Sequence, residues 1–209
     1  MDEINLQNYH SYLMFISEKL EKFFESQKPY IFCYKGCGKC CKNAMFPYSK
    51  AELDYLLLGA IQLDSETQDL IQTNIRNVLA RKKKYRGKQF KYDCPFLINN
   101  ECAVYNHRGV VCRAFGLMTN PTNSEGGKKA PFCCFKGLNY SNVINKRTKM
   151  FSPRKAKKLG DVPDACSFNV DYNYLTDADF ERGFNFKFGE KKPLIDWFEG
   201  IGNSDEDVF

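Results

Sequence analysis

Cys33-Tyr34-Lys35-Gly36-Cys37-Gly38-Lys39-Cys40-Cys41 is the stretch on which the reading of this chain turns. A packed core does not suit it. Buried thiols want aliphatic neighbours, and these thiols have glycine and lysine instead. A metal does suit it, because thiolates are soft ligands for zinc and for iron–sulfur clusters. Gly36 and Gly38 allow a short loop to wrap an ion with backbone conformations that other residues avoid. Lys35 and Lys39, with Lys42 just beyond, favour the ionised thiolate that does the binding. The rest of the chain is then expected to supply scaffold and further ligands.

Composition agrees with a folded chain of this kind. The 209 residues are 43% apolar and 15% aromatic, enough for a core in one domain or one domain with an extension. Ten cysteines is the unusual count. Disulfides suit small secreted chains, but Met1-Asp2-Glu3-Ile4-Asn5 lacks the basic and apolar regions of a signal peptide. No apolar run approaches the roughly 20 residues of a membrane span. The adjacent pairs Cys40-Cys41 and Cys133-Cys134 are also awkward for a disulfide framework. Metal ligation in a reducing cytoplasm is the expectation.

The net charge of +6 is concentrated in two basic segments, Arg76 to Lys91 and Lys146 to Lys158, against an acidic Asp205-Glu206-Asp207. Both segments read first as solvated helix ends and loops. As interaction surfaces they suit an acidic protein or peptide ahead of nucleic acid.

Outward from the cysteine loop, the pattern is helical. Ile4, Leu6, Tyr9, Leu13, Ile16, Leu20, Phe23 and Phe24 recur at helical spacing and predict an amphipathic helix over 4–26. Ser49 followed by Glu52 is a capping box opening a helix that carries Leu53, Leu56, Leu57 and Ile61. Asp64-Ser65-Glu66 starts another, with Leu70, Ile71, Ile75, Val78 and Leu79 inside, and the two helices read as an αα-hairpin. Asn99-Asn100 between short apolar runs predicts a tight hairpin turn. Residues 106–116 predict a short helix that carries Cys112 and stops at Gly116, and 118–129 an exposed loop. Thr176 is expected to cap a helix with Phe180, Phe184 and Phe188, and a last helix is expected to hold Leu194, Ile195, Trp197, Phe198 and Ile201. The fold class is therefore mainly α with a small β-hairpin, and irregular loops around the metal site. The organisation reads as an amphipathic helix over 1–30, a cysteine-cluster metal-binding domain over 31–135, and a helical extension over 136–209 packed on the same core.

The full thiol spacing is Cys33-x3-Cys37-x2-Cys40-Cys41, then Cys94-x7-Cys102-x9-Cys112, with Cys133-Cys134 further on. The second segment runs Cys94-Pro95-Phe96-Leu97, Cys102-Ala103-Val104-Tyr105, Arg108, and Cys112-Arg113-Ala114-Phe115-Gly116. This pattern resembles the YkgJ-type cysteine-cluster family, proteins described as zinc- or iron-chelating, to which the flagellin lysine N-methylase carries a related domain. The resemblance covers about residues 33–116. The chain departs from the family pattern in the x3 of its first spacing and in Gly109, where the family usually has Pro after Arg108. The resemblance implies metal binding by these cysteines, and a reaction only weakly.

Nine thiols, Cys33, Cys37, Cys40, Cys41, Cys94, Cys102, Cys112, Cys133 and Cys134, are the expected metal ligands. They exceed what one tetrahedral zinc takes, so two sites or a polynuclear cluster fit better. Adjacent Cys40 and Cys41 are expected to diverge and serve two metal atoms. Iron or an iron–sulfur cluster is favoured narrowly over zinc. His107 reads as a hydrogen-bonding surface residue ahead of a ligand, Cys166 as structural, and His10 as exposed. Two functional classes compete. The first is a carrier, sensor or accessory metal-binding module. The second is an iron-dependent or S-adenosylmethionine-using enzyme that modifies a peptide or protein, for example by lysine methylation. Cys33-x3-Cys37-x2-Cys40 has the spacing of the radical S-adenosylmethionine motif. However, Lys39 stands where that motif carries an aromatic, and the chain lacks the alternating β and α periods of its barrel. No GxGxxG, Walker loop or HExxH stretch is present. Catalysis is left open, and S-adenosylmethionine enters only with the enzyme reading.

Overall fold

The computed structural model describes residues 2–120, 128–148 and 150–199. The chain divides into two compact units. The first comprises Met1–His10, Lys35–Gly109 and Glu181–Phe209, and the second Ser11–Tyr34 and Val110–Phe180. In chain order the regular elements are α1 (Glu3–Ser26), β1 (Pro47–Ser49), α2 (Lys50–Ala60), α3 (Ser65–Lys84), β2 (Leu97–Ile98), β3 (Glu101–Cys102), α4 (Val110–Ala114), α5 (Pro153–Lys157), α6 (Tyr172–Leu175), α7 (Ala178–Phe184) and β4 (Lys191–Pro193). About half the chain is helical, as the apolar spacing requires.

Asp2 caps α1 by accepting from the Ile4 and Asn5 amides at 3.1 and 3.2 Å. The stripe Leu6, Tyr9, Leu13, Ile16 and Leu20 is buried along the helix. The first turns of α1 belong to the first unit, where Asn5 and Asn8 donate to the Lys187 and Asn185 carbonyls at 3.0 and 2.8 Å.

In the first unit, Ser49 and Glu52 close the expected capping box. The Glu52 amide donates to Ser49 Oγ at 3.3 Å, and the Ser49 amide donates to Glu52 Oε2 at 2.8 Å. Asp64 caps α3 through the Thr67 amide at 2.8 Å. Ile71, Ile75, Val78 and Leu79 are buried, whereas Leu70 and Ile61, expected inside, are exposed. Ile61 is the C-cap of α2, its amide donating to the Leu57 carbonyl at 3.0 Å. Each helix packs on an irregular segment: α2 on the 3₁₀ turn Tyr105–His107, α3 on the 3₁₀ turn Leu194–Phe198 and on β2.

The hairpin β2–β3 forms where Asn99-Asn100 predicts it. Leu97 pairs with Cys102 and Ile98 with Glu101. Both asparagines are left-handed, at φ 50° and 64°, as the turn that matches strand twist demands. A second two-stranded pairing has no local signal in the sequence. Antiparallel β1–β4 sets Tyr48 opposite Lys192, and Trp197 Nε1 donates to the Tyr48 carbonyl at 3.1 Å.

The second unit is built on aromatic packing. Tyr30 and Tyr140 stack at 5.9 Å within a cluster of Met118, Cys134, Val143, Ile144 and Ala165. Buried Asn139 ties two strands of chain together, accepting from the Phe32 amide at 2.8 Å and donating to the Gly116 carbonyl at 2.9 Å. The ends of the 118–129 loop meet, since Thr119 and Lys129 exchange two backbone bonds of 2.9 Å. Residues 121–127 of that loop lie outside the described residues, as do Lys149 of the second basic segment, Ile201 and the acidic 205–207.

Two expectations in the tail are corrected. Asp177 opens α7, accepting from the Asp179 amide at 2.8 Å, while the Thr176 hydroxyl is buried and donates back to the Tyr172 carbonyl at 2.8 Å. Thr176 closes α6 instead, and Phe188 lies beyond the end of α7. The last helix is a short 3₁₀ turn, Leu194–Phe198.

Gly109 has a physical reason for departing from the family proline. Its amide donates to the Tyr48 hydroxyl at 3.0 Å, a bond proline cannot make. A Cβ there would also stand 2.7 Å from Glu52 Oε1 and 2.9 Å from the Tyr48 ring. Gly109→Pro is therefore expected to destabilise by about 2 kcal/mol or more, from the lost bond and the overpacking together. A urea midpoint equal to that of the unaltered protein would contradict this.

Candidate metal centre

The cysteine loop and the hairpin are held together by backbone. The Cys94 amide donates to the Cys41 carbonyl at 2.8 Å, and the Ala44 amide to the Tyr92 carbonyl at 2.8 Å. These two bonds fix where the second cysteine segment meets the first. The loop then lies against the hairpin turn. Gly38 adopts φ 56°, and a Cβ there would approach the Asn100 carbonyl oxygen to 3.3 Å. Gly36 faces Glu101, which Lys35 pairs with at 3.5 Å on the surface. Cys37 sits between these two glycines.

Cys40 is in right-handed helical conformation and leads into the 3₁₀ turn Cys41–Asn43. This curl brings the Cys40 and Cys41 sulfurs to 3.8 Å. The expectation that these neighbours diverge is corrected, because divergence belongs to extended chain and this chain is coiled. Two thiolates on one tetrahedral zinc at about 2.3 Å would stand roughly 3.8 Å apart. The pair can therefore serve a single ion.

The electrostatics centre on Cys40. The hydrogen bond from Cys41 lowers its thiol to about 7, against the opposing effect of burial, with backbone bonds and Arg108 assisting. Cys102 shares this environment but moves the other way. Burial raises it, the Val104 amide and Arg108 offset part of the rise, and a charged Cys40 adds to it. Arg108 is the residue whose role sequence reasoning left unassigned. Its guanidinium lies 3.7 Å from the Tyr105 ring centroid, which fixes a positive charge beside two thiols. The signal was present as the arginine of the cysteine-cluster pattern, but its electrostatic reach needed coordinates.

The other expected ligands fall in the second unit. Cys33 is exposed, and its sulfur is 3.8 Å from where a Gly116 Cβ would be. Cys112 is half-buried on α4. Cys133 and Cys134 are buried in the 3₁₀ turn Phe132–Lys136, and burial pushes the Cys134 thiol up. His107 packs against Tyr55 at 4.8 Å between rings, in a space kept open by Gly59, whose Cβ would stand 2.4 Å from the imidazole. Cys166 is exposed and donates to the Asp164 carbonyl at 3.2 Å. Among the described residues, no three His, Cys, Asp or Glu side chains already stand as a set that would hold an ion. The preformed element is the Cys40–Cys41 pair.

Residues 32–134 match the model of the CxxCxxCC family, described as "Putative zinc- or iron-chelating domain". This stretch is a CxxCxxCC domain. It takes in every cysteine but Cys166, and so reaches further than the 33–116 resemblance. No curated protein and no solved structure matches the chain. The donor set fits the family description. The domain offers a close pair of sulfurs, one of them with its thiol lowered to about 7, beside a fixed guanidinium. No helix among the described residues is long and apolar enough to cross a membrane.

Alkylation of metal-free protein at graded pH, mapped by mass spectrometry, checks the electrostatics. Cys40 is expected to titrate with a midpoint near the value of about 7. Cys41→Ala should raise that midpoint most and Arg108→Gln less, toward the roughly 8.5 of a free thiol. An ordinary midpoint at Cys40 in the unaltered protein would contradict the geometry.

Proposed function

We propose that the CxxCxxCC domain holds iron, as a thiolate-ligated iron or iron–sulfur centre, and acts as a carrier, sensor or accessory module. The observation that carries this reading is the Cys40–Cys41 pair tied by backbone to the second cysteine segment. The proposed ligands are drawn from Cys37, Cys40, Cys41, Cys94 and Cys102, which share one unit. Their number supports iron, because a closed structural zinc takes four ligands and leaves a thiol over, whereas clusters take thiolates from a short loop and from afar. Arg108 and the lysines flanking the loop offset the negative charge of such a centre. Bound metal would supply thiolate-ligated redox or cargo chemistry. The chain's own residues hold the ligands: the hairpin turn seats Gly38, and Arg108 helps Cys41 lower the Cys40 thiol. Reduced thiol ligands call for a reducing compartment, which we take to be the cytoplasm.

Anaerobic purification is expected to give a brown protein containing iron and sulfide. Cys40→Ser and Cys41→Ser should each remove most of the metal, because each breaks the pair. Cys166→Ser should leave the metal content unchanged. A colourless protein with stoichiometric zinc, even after anaerobic reconstitution with iron and sulfide, would assign the site to zinc and overturn the iron reading.

A further inference from the structure

Helix α3 ends in Arg81-Lys82-Lys83-Lys84, and the loop after it continues Tyr85-Arg86-Gly87-Lys88-Gln89-Phe90-Lys91 without an acidic residue. Cations at a helix C-terminus are ordinary, since they face the negative end of its dipole. One of them is used in that structural way. Lys82 bridges Asp196 at 2.7 Å and Glu199 at 2.6 Å, tying α3 to the turn Leu194–Phe198. Arg81, Lys84 and Lys91 are given no such bridge among the described residues. They rim a cavity of about 320 Å³ together with Tyr85 and Phe90.

The aromatic part of its lining is held in place. The Tyr85 hydroxyl donates to the Gln89 carbonyl at 2.7 Å, which pins the ring across its own loop. Gly87 permits this, because a Cβ there would stand 2.3 Å from the Tyr85 hydroxyl oxygen. Phe90 meets the ring at 5.3 Å between centroids and carries the Arg81 guanidinium at 5.9 Å. Even so, Tyr85 is 43% exposed. A large ring fixed in place, left open to solvent and surrounded by cations is what a phosphorylated planar base requires. An acidic peptide would satisfy the cations and leave the ring face unused.

We propose that this cavity binds single-stranded nucleic acid, with a base stacked on Tyr85 and neighbouring phosphates held by Arg81, Lys84 and Lys91. The cavity volume, near the lower end of the roughly 300–1,000 Å³ of ligand pockets, suits a single nucleotide unit at a time. The cations of the loop line the path of the strand on either side. This reading stands apart from the metal centre and replaces the acidic partner expected from charge alone.

The test uses the full chain and a fluorescent uridine oligomer of about ten nucleotides, within the span of known single-strand sites. Anisotropy titrations at about 50 mM salt should saturate, and affinity should fall with salt at a slope of roughly −0.7 per phosphate contact. Tyr85→Leu should weaken binding about tenfold with little change of slope, and Tyr85→Phe, which keeps the ring but loses the hydroxyl that pins it, should weaken binding less. Lys84→Ala with Lys91→Ala should weaken binding and flatten the slope by more than about one unit. These are exposed side chains, and an unchanged circular dichroism spectrum confirms folding. The proposal is overturned if no saturable binding occurs, if Tyr85→Leu binds as well as the unaltered protein, or if poly-glutamate of equal length competes equally. Uridine monophosphate binding as tightly as the oligomer would also overturn it, in favour of a free-nucleotide site.

Discussion

The Cys94 amide meets the Cys41 carbonyl at 2.8 Å, and the Ala44 amide meets the Tyr92 carbonyl at the same distance. This short backbone clasp joins two cysteine segments that are distant in the chain. Almost everything proposed for the site depends on it. Backbone hydrogen bonds do not use the thiols, so they can hold the two segments together before any ion arrives. The clasp is itself buttressed. Asn74 of α3 donates to the Pro95 carbonyl at 3.1 Å, Phe96 packs near Phe198, and the Ile195 amide donates to the Tyr92 hydroxyl at 3.3 Å. The tail returns to make β1–β4 and so closes the first unit over the segment leaving the cysteine loop. Crowded thiolates repel one another without a cation. A scaffold that fixes their backbone keeps that repulsion from spreading the loop.

Within that scaffold the chemistry is divided. Cys40 is made acidic by its neighbour Cys41 and by Arg108, whereas Cys102 is kept protonated by burial and by Cys40 itself. One thiol is thus close to ionisation at neutral pH, and the other is held in its protonated form. Cys134, by contrast, is placed like a small apolar residue in the buried cluster that also holds Tyr140 and Ile144. Thiols of one chain thus occupy two kinds of surroundings, which the count of ten did not distinguish.

Local signals were legible in the sequence where one short stretch decides the outcome. Asn99-Asn100 specifies its turn because few residues tolerate two successive left-handed conformations. Ser49 and Glu52 specify a helix start because their side chains reach only their own first turn. What stayed hidden is tertiary. The β1–β4 pairing rests on strands of three residues each, too short to show a period. The use of Gly109 depends on Tyr48 and Glu52 arriving from elsewhere in the chain. The closeness of the Cys40 and Cys41 sulfurs follows from a 3₁₀ curl that glycine and lysine neighbours do not announce. The match of residues 32–134 to the CxxCxxCC family rests on a cysteine pattern legible in the sequence, while the surroundings of individual thiols had to wait for the fold.

The central claim is that thiolates of the first unit form the ligand shell of an iron centre. X-ray absorption at the iron edge of anaerobically purified protein tests it most directly, because it counts neighbouring atoms by element. The account predicts a shell dominated by sulfur, reduced in the Cys40→Ser variant, with a further iron neighbour if the centre is a cluster. A shell of oxygen and nitrogen with no sulfur, or one unchanged by Cys40→Ser, would contradict it.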